Sequence, residues 1–229
     1  NYLQTLHGGF AGDLTPKQQR MIQRSILRIK ELRSLIGDVV DLARMRPEQI
    51  QADFEWFDPG EVGAESIEDV SLAAAEKNIR IKVEPPPKFE PIVGARWRLR
   101  QVFTNLLNNA IRYSPADSTV IFRARYEPEH VIFEVQDNGP GIPDEDLPHI
   151  FTDFYRGSQV AETQGLGLGL SIAKKIVDAH HGQILVRNLS GEGNGSGACF
   201  TVILPRNLKT PEMQRQMRSE GEVREKGTL

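Results

Sequence analysis

The stretch NLLNNA, Asn105 to Ala110, followed further along by DNGPGIP, Asp137 to Pro143, decides how this chain is read. A third run, GLGLGL, spans Gly165 to Leu170. Around the first run, Leu99, Val102, Phe103, Leu106, Leu107 and Ala110 recur at helical spacing and predict an apolar stripe. Gln101, Asn105, Asn109 and Arg112 share a different face of that helix. A line of carboxamides ending in a cation suits a polyphosphate with its Mg. The amide oxygen is a hard ligand, Mg keeps several waters, and the guanidinium offsets phosphate charge. Taken alone, the same face is equally that of a solvated surface helix.

The second run narrows the choice. Val131, Phe133 and Val135 alternate as the inward face of a strand, and Asp137 continues the series. A buried carboxylate needs a donor, and the exocyclic amine of adenine is one. Gly139 and Gly141 let the backbone turn tightly beside a flat ring. The plain alternative is a strand-ending Asp-Asn-Gly turn. In the third run, glycines opening a helix expose backbone amides that, with the helix dipole, attract phosphate. The dinucleotide fingerprint and the GxxxxGK[ST] phosphate loop are both missing from the sequence.

Taken together, these runs resemble the ATP-binding catalytic domain of bacterial sensor histidine kinases, within the GHKL ATPase superfamily. RLRQVFTNLLNNAIRYSP resembles the N box of that family, DNGPGIP its G1 box, IFTDFYRG its F box and GLGLGLSIAKKIV its G2 box. GSGACFTVILP is similar to its last strand. The resemblance implies an α+β fold: a Bergerat-type α/β sandwich with a mixed sheet, preceded by a partial antiparallel helical hairpin. It implies ATP and Mg2+ as cofactors. Asn105 would be the metal ligand, Asn109 and Arg112 phosphate contacts, and Tyr113 a neighbour of the nucleotide. Asp137 would accept from the adenine amine. Gly139, Gly141, Gly165, Leu166, Gly167, Leu168 and Gly169 would shape the pocket and its lid. Phe151, Phe154 and Tyr155 would pack the lid base, and Arg156 would reach a phosphate or form a surface ion pair.

The chain departs from the family pattern at several points. Ala95 and Trp97 stand where an acidic residue is frequent, Thr152 and Asp153 replace an acidic-basic pair, and His181 stands where a second Gly is common. Chaperone, gyrase and mismatch-repair ATPases carry a general-base Glu four residues before the metal Asn; here that position is Gln101. A carboxamide accepts no proton at neutral pH, so Gln101 favours phosphoryl transfer over hydrolysis.

The rest of the chain is consistent with a domain of this kind. A length of 229 residues allows one sizeable domain and a smaller element. A hydrophobic share of 39%, a charged share of 26% and a net charge of -3 are ordinary, and give no reason to expect nucleic acid or an anionic membrane surface as partner. A single Cys, Cys199, excludes an internal disulfide and fits a reducing cytosol. No segment is apolar enough to span a bilayer. The expected localisation is cytoplasmic, with room for a parent protein anchored in the inner membrane.

Three regions are expected: 1–46, 47–206 and 207–229. In the first, Asn1 to Leu6 reads as a helix end stopped by Gly8, Gly9 and Gly12. Thr15-Pro16-Lys17-Gln18 is a capping box with Pro at the first helical position. The helix that follows repeats Ile22, Ile29, Ile36 and Ala43 every seven residues, with Leu32 and Val39 between them. Such a wide stripe calls for a dimeric four-helix bundle, or for packing on the second region. The resemblance implies the bundle, hence a homodimer, and a response-regulator receiver as second partner. It also implies a phosphoacceptor His upstream of Asn1, because His7 lacks the surrounding motif. The second region would be the ATP-binding domain, and the last, mixed in charge and poor in apolar residues, is expected to be disordered. The expected function is a two-component sensor histidine kinase core that phosphorylates a histidine for relay to an aspartate. Two alternatives are an anti-sigma-type serine kinase of the same ATP fold and a non-catalytic ATP-binding or interaction module.

Overall fold

The computed structural model describes residues 5, 12, 14–157, 166–189 and 197–213. The chain separates into two compact units, Asn1–Arg44 and Met45–Leu229. His7 and the expected helix end at Asn1 to Leu6 lie outside the described residues, apart from Thr5.

The first unit is dominated by helix α1, Pro16–Arg44. Its start is the capping box read from the sequence. The Gln18 N–H donates to Thr15 Oγ1 at 3.4 Å, and the Thr15 N–H donates to Gln18 Oε1 at 2.9 Å. Two of the helix-end groups that have no partner of their own are satisfied in this way. Ile29, Leu32, Ile36, Val39 and Val40 are exposed within this single chain.

The second unit begins with α2, Pro47–Ala52, and continues through β1, Glu55–Phe57, and α3, Pro59–Glu76. Next come β2, Arg80–Glu84; β3, Ile92–Gly94; and α4, Arg96–Tyr113. Strands β4, Thr119–Tyr126, and β5, His130–Gln136, form a hairpin. Helix α5, Gly169–Ala179, and strands β6, Gln183–Asn188, and β7, Ala198–Pro205, complete the unit. Five strands form one sheet in the order β2-β4-β5-β7-β6; only β2 and β4 run parallel. The sheet is therefore mixed, as expected. Strands β1 and β3 pair separately. The short helix α2 and strand β3 are additions that sequence periodicity did not reveal. Three residues are too few to show an alternation.

Helices α3, α4 and α5 lie side by side over one face of the sheet. Phe103 of α4 sits between Phe122 of β4 and Phe133 of β5, with ring centroids 5.5 Å and 4.7 Å away. Burying each such ring is worth roughly 1.5–3 kcal/mol. The other face of the sheet carries a charge ladder in strand register. Arg123 pairs with Glu84 and Glu134, and Arg125 with Glu134. These pairs are partly exposed and contribute little each. They mark this face as the solvated one, so the apolar alternation of β4 and β5 points at the helices.

After β7, Arg206 ties the chain back to the body. It stacks over Tyr126, donates to the Glu127 carbonyl and pairs with Glu90. Within the expected tail, Pro211 to Met213 form a single helical turn, and 214–229 lie outside the described residues.

Candidate functional site

The C-terminal end of α4 meets the turn that follows β5, and the middle of α4 meets the start of α5. Helix α4 buries Leu99, Val102, Phe103, Leu106, Leu107 and Ala110, the stripe expected from its spacing. Its opposite face brings Asn105 to the start of α5. There the Asn105 side-chain NH2 donates to the Gly169 carbonyl at 3.0 Å. With Nδ2 engaged, Oδ1 is the atom left to act as a ligand. Among the described residues no group of three or more His, Cys, Asp or Glu gathers to hold an ion. An amide oxygen without such a group would suit Mg held mainly by water and phosphate.

Asp137 continues the inward series of β5 and is 6% exposed. Its Oδ1 accepts from the Gly139 N–H at 2.8 Å and from the Ala198 N–H at 3.0 Å. Both bonds go to one oxygen, which leaves Oδ2 to take a donor from a ligand. Burial raises the Asp137 pKa, and the two backbone donors oppose that rise. A donor on Oδ2 would therefore offset that burial cost.

Close backbone approach shapes this corner. A Cβ on Gly197 would lie 1.9 Å from the Asp137 carbonyl oxygen, so only glycine lets β7 begin there. A Cβ on Gly139 would meet Asp137 Oδ1 at 2.9 Å and the Tyr113 carbonyl at 3.1 Å. The end of α4 is thus a wall of the same turn, and Ser114 Oγ accepts from the Asn138 N–H at 3.4 Å. Lys77 holds that wall in place. Its ammonium donates to the carbonyls of Ile111, Arg112 and Ser114 at 2.9, 2.7 and 3.1 Å, where the helix dipole favours a cation. Asn109 and Tyr113 are part-buried and Arg112 is exposed, all on the last turns of α4.

The segment after the turn packs on the start of α5. Gly167 has φ +73, and a Cβ there would lie 2.3 Å from the Tyr155 carbonyl oxygen. Tyr155 donates through its hydroxyl to Asp146 at 2.7 Å, and Phe151 meets Phe200 edge-on at 6.4 Å. These two aromatics each have a partner in the described body of the domain. Phe154, expected to pack with them, is instead 57% exposed, on backbone at φ +64. Asp153, which departs from the usual pattern, takes two bonds from Lys175 of α5, at 3.0 and 2.7 Å. Arg156 is exposed. Leu166 is part-buried. Leu168 is 1% exposed, so its side chain belongs to the core and only its backbone is available to a ligand. Gly165 and the expected lid beyond Gly157 lie outside the described residues.

His180 is fully buried and structural. Its Nε2 accepts from the Ala95 N–H at 2.9 Å, Nδ1–H donates to the Ile176 carbonyl at 2.7 Å, and the ring stacks on Phe54. Burial lowers its pKa to about 4; the Ile176 bond opposes the shift and the neighbouring His181 adds to it. His181 sits at φ +54. The Gly182 and His181 N–H groups return to the Val177 and Asp178 carbonyls, a Schellman ending for α5.

Sequence reasoning missed Lys77, Ser114, Asn188 and Gly197. Of these, Ser114 and Gly197 left a trace, inside the RLRQVFTNLLNNAIRYSP and GSGACF runs.

Comparison with known proteins gives the family. The histidine kinase-, DNA gyrase B- and HSP90-like ATPase family matches residues 94–208. The chain belongs to that family. Among its relatives, the histidine-protein kinase/phosphatase MprB of Mycolicibacterium paratuberculosis is 33% identical over 83% of this chain and 36% of its own length. Sensor protein SphS of Synechococcus elongatus is 32% identical over 84% of this chain and 48% of its own length. The chain thus spans less than half of these curated relatives. Among solved structures, the mycobacterial sensor histidine kinase MprB superposes with a TM-score of 0.59 at 29% identity, covering 66% of this chain and 96% of that one. Full-length ShkA, solved in complex with AMPPNP, gives 0.70 at 26% identity, covering 92% of this chain and 47% of that one. The chain carries the catalytic ATPase domain of the sensor histidine kinases, with the GHKL fold. No helix among the described residues is long and apolar enough to cross a membrane.

Proposed function

We propose that this domain binds Mg-ATP in the corner between α4, the end of β5 and the start of α5, and passes the γ-phosphoryl group to a histidine. The observation that carries the reading is Asp137, a buried carboxylate with both backbone bonds on Oδ1 and Oδ2 left for a donor. The adenine amine is such a donor. Asn105 would present Oδ1 to Mg, Arg112 would offset phosphate charge at the exposed end of α4, and Asn109 would touch a phosphate. Tyr113 would lie beside the nucleotide. The metal would neutralise charge on the phosphates; the protein's part is positioning. Gln101, which accepts a bond from Arg98 at 3.2 Å, is a poor base, so water attack would be slow.

The acceptor histidine would belong to a dimerisation hairpin to which α1 contributes, and the phosphoryl group would go on to a response-regulator aspartate. The exposed stripe of α1 favours this over a serine kinase of the same ATP fold. The parent protein would work on the cytoplasmic side of a membrane.

The test compares ADP with GDP by calorimetry, in the wild type and in Asp137→Asn. Guanine puts a carbonyl where adenine has its amine, so it would face Oδ2 acceptor to acceptor. The expected preference for ADP is on the order of 1–3 kcal/mol. Asp137→Asn should keep the Oδ1 bonds, spare the protein a buried charge and weaken ADP binding. Equal affinity for the two diphosphates would remove Asp137 from the role. Phosphate on Ser or Thr rather than His, in the full-length protein incubated with labelled ATP, would promote the serine-kinase reading.

A further inference from the structure

The turn that follows Asp137 is held at both of its ends, and the second hold involves a residue with no assigned part in the site. At the near end, β7 grips Asp137: the Asp137 N–H donates to the Ala198 carbonyl at 2.9 Å, and the Ala198 N–H returns to Oδ1. Ala198 is paired in register with Asn188, the last residue of β6. At the far end, the Asn188 side chain reaches Ile142. Its Oδ1 accepts from the Ile142 N–H at 2.8 Å, and its Nδ2 donates to the Ile142 carbonyl at 2.7 Å.

We propose that Asn188 is a positioning residue for the nucleotide pocket, its side-chain amide standing in for a strand neighbour that clamps Ile142 and holds the turn from Asp137 to Ile142 in its base-accepting shape. This rests on the reading of Asp137 as the base acceptor.

The chemistry selects asparagine. A carboxamide carries donor and acceptor in one plane, and so repeats the paired bonds that one residue of an antiparallel strand exchanges with its partner. Serine offers one short arm, aspartate offers acceptors only, and glutamine is longer by a methylene. Between the two holds lie Gly139, Pro140 and Gly141, with Gly141 at φ +78. Glycines leave a backbone many conformations; the near half of the turn is held by the Gly139 N–H on Asp137 Oδ1 and the Asn138 N–H on Ser114 Oγ, and Asn188 holds the far half. Asn188 is exposed, so packing does not account for its contact.

The experiment uses the full chain, wild type, Asn188→Leu and Arg187→Ala. Arg187 is an exposed neighbour on the same strand, with its side chain on the opposite face of the sheet, and serves as the control. Two quantities are read: hydrogen exchange at the Ile142 amide without nucleotide, and ADP affinity by calorimetry. In Asn188→Leu the Ile142 amide should lose protection while the Asp137 and Ala198 amides keep theirs. ADP should then bind about three- to tenfold more weakly, the size of a lost hydrogen bond, while the unfolding midpoint falls by no more than the loss of the two Ile142 bonds accounts for. Arg187→Ala should match the wild type in both.

Unchanged Ile142 exchange in Asn188→Leu would overturn the clamp. Faster exchange with unchanged ADP affinity would overturn the positioning role. A wild type that protects Ile142 yet binds no ADP would locate the failure in the nucleotide reading, and the positioning role would fall with it.

Discussion

Acid should destabilise this domain through His180. The ring is fully buried, with Nε2 accepting from the Ala95 N–H and Nδ1–H given to Ile176. A second proton would have to go on Nε2, which would set two donors against each other. The folded-state pKa is lowered from 6.5 to about 4. The unfolded chain therefore takes up a proton at higher pH than the folded one does. The contribution of His180 is fully present above the unfolded value of 6.5 and is lost as pH falls from there towards about 4. Between roughly pH 7.5 and 4.5 the loss is about 2.5 kcal/mol. Urea unfolding of the wild type and of His180→Gln, at several pH values across that window, isolates the effect because the other titrating groups cancel in the difference. Glutamine carries a donor and an acceptor but no titration. The stability gap between the two proteins should shrink by about 2.5 kcal/mol as pH falls. A gap independent of pH would refute the argument and would mean that His180 protonates in the folded state as readily as in the unfolded one.

Three further outcomes are expected. Asn105→Ala should abolish the Mg dependence of ADP affinity in calorimetry with and without EDTA, while the lost bond to Gly169 lowers stability by about 1 kcal/mol; an unchanged Mg dependence would reassign the metal ligand. Gly167→Ala should cost on the order of 1–3 kcal/mol in backbone strain alone. Its Cβ would also push the Tyr155 carbonyl away, so fluorescence titration with a labelled nucleotide should show weaker binding. His181→Gly should stabilise the fold by about 1 kcal/mol in urea, because the left-handed residue ending α5 then carries no Cβ; a less stable variant would mean that the 3.2 Å contact with Gln51 outweighs the strain.

The match between reading and structure is closest where the physics is local. The stripe of α4 from Leu99 to Ala110, the alternation of β5 that carries Asp137 inward and the capping box at Thr15 are written in spacings of a few residues, and each appears as expected. The motif runs also named Asn105 and Asp137 as candidate site residues. Their partners could not be read in the same way. Asp137 is satisfied by Ala198, Asn105 by Gly169, Ile142 by Asn188 and Ala95 by His180. Each bond joins residues on different elements. Periodicity reports which way a side chain faces, not what it meets. Strand order and the packing of α5 against α4 decided those meetings, by bringing the ends of β5, β7 and β6 into one row. From the chain alone, then, came the stripe of α4, the inward carboxylate and the family. The tertiary structure decided which oxygen of Asp137 is left without a backbone donor, because one of the two donors on Oδ1, the Ala198 N–H, is delivered by a distant strand.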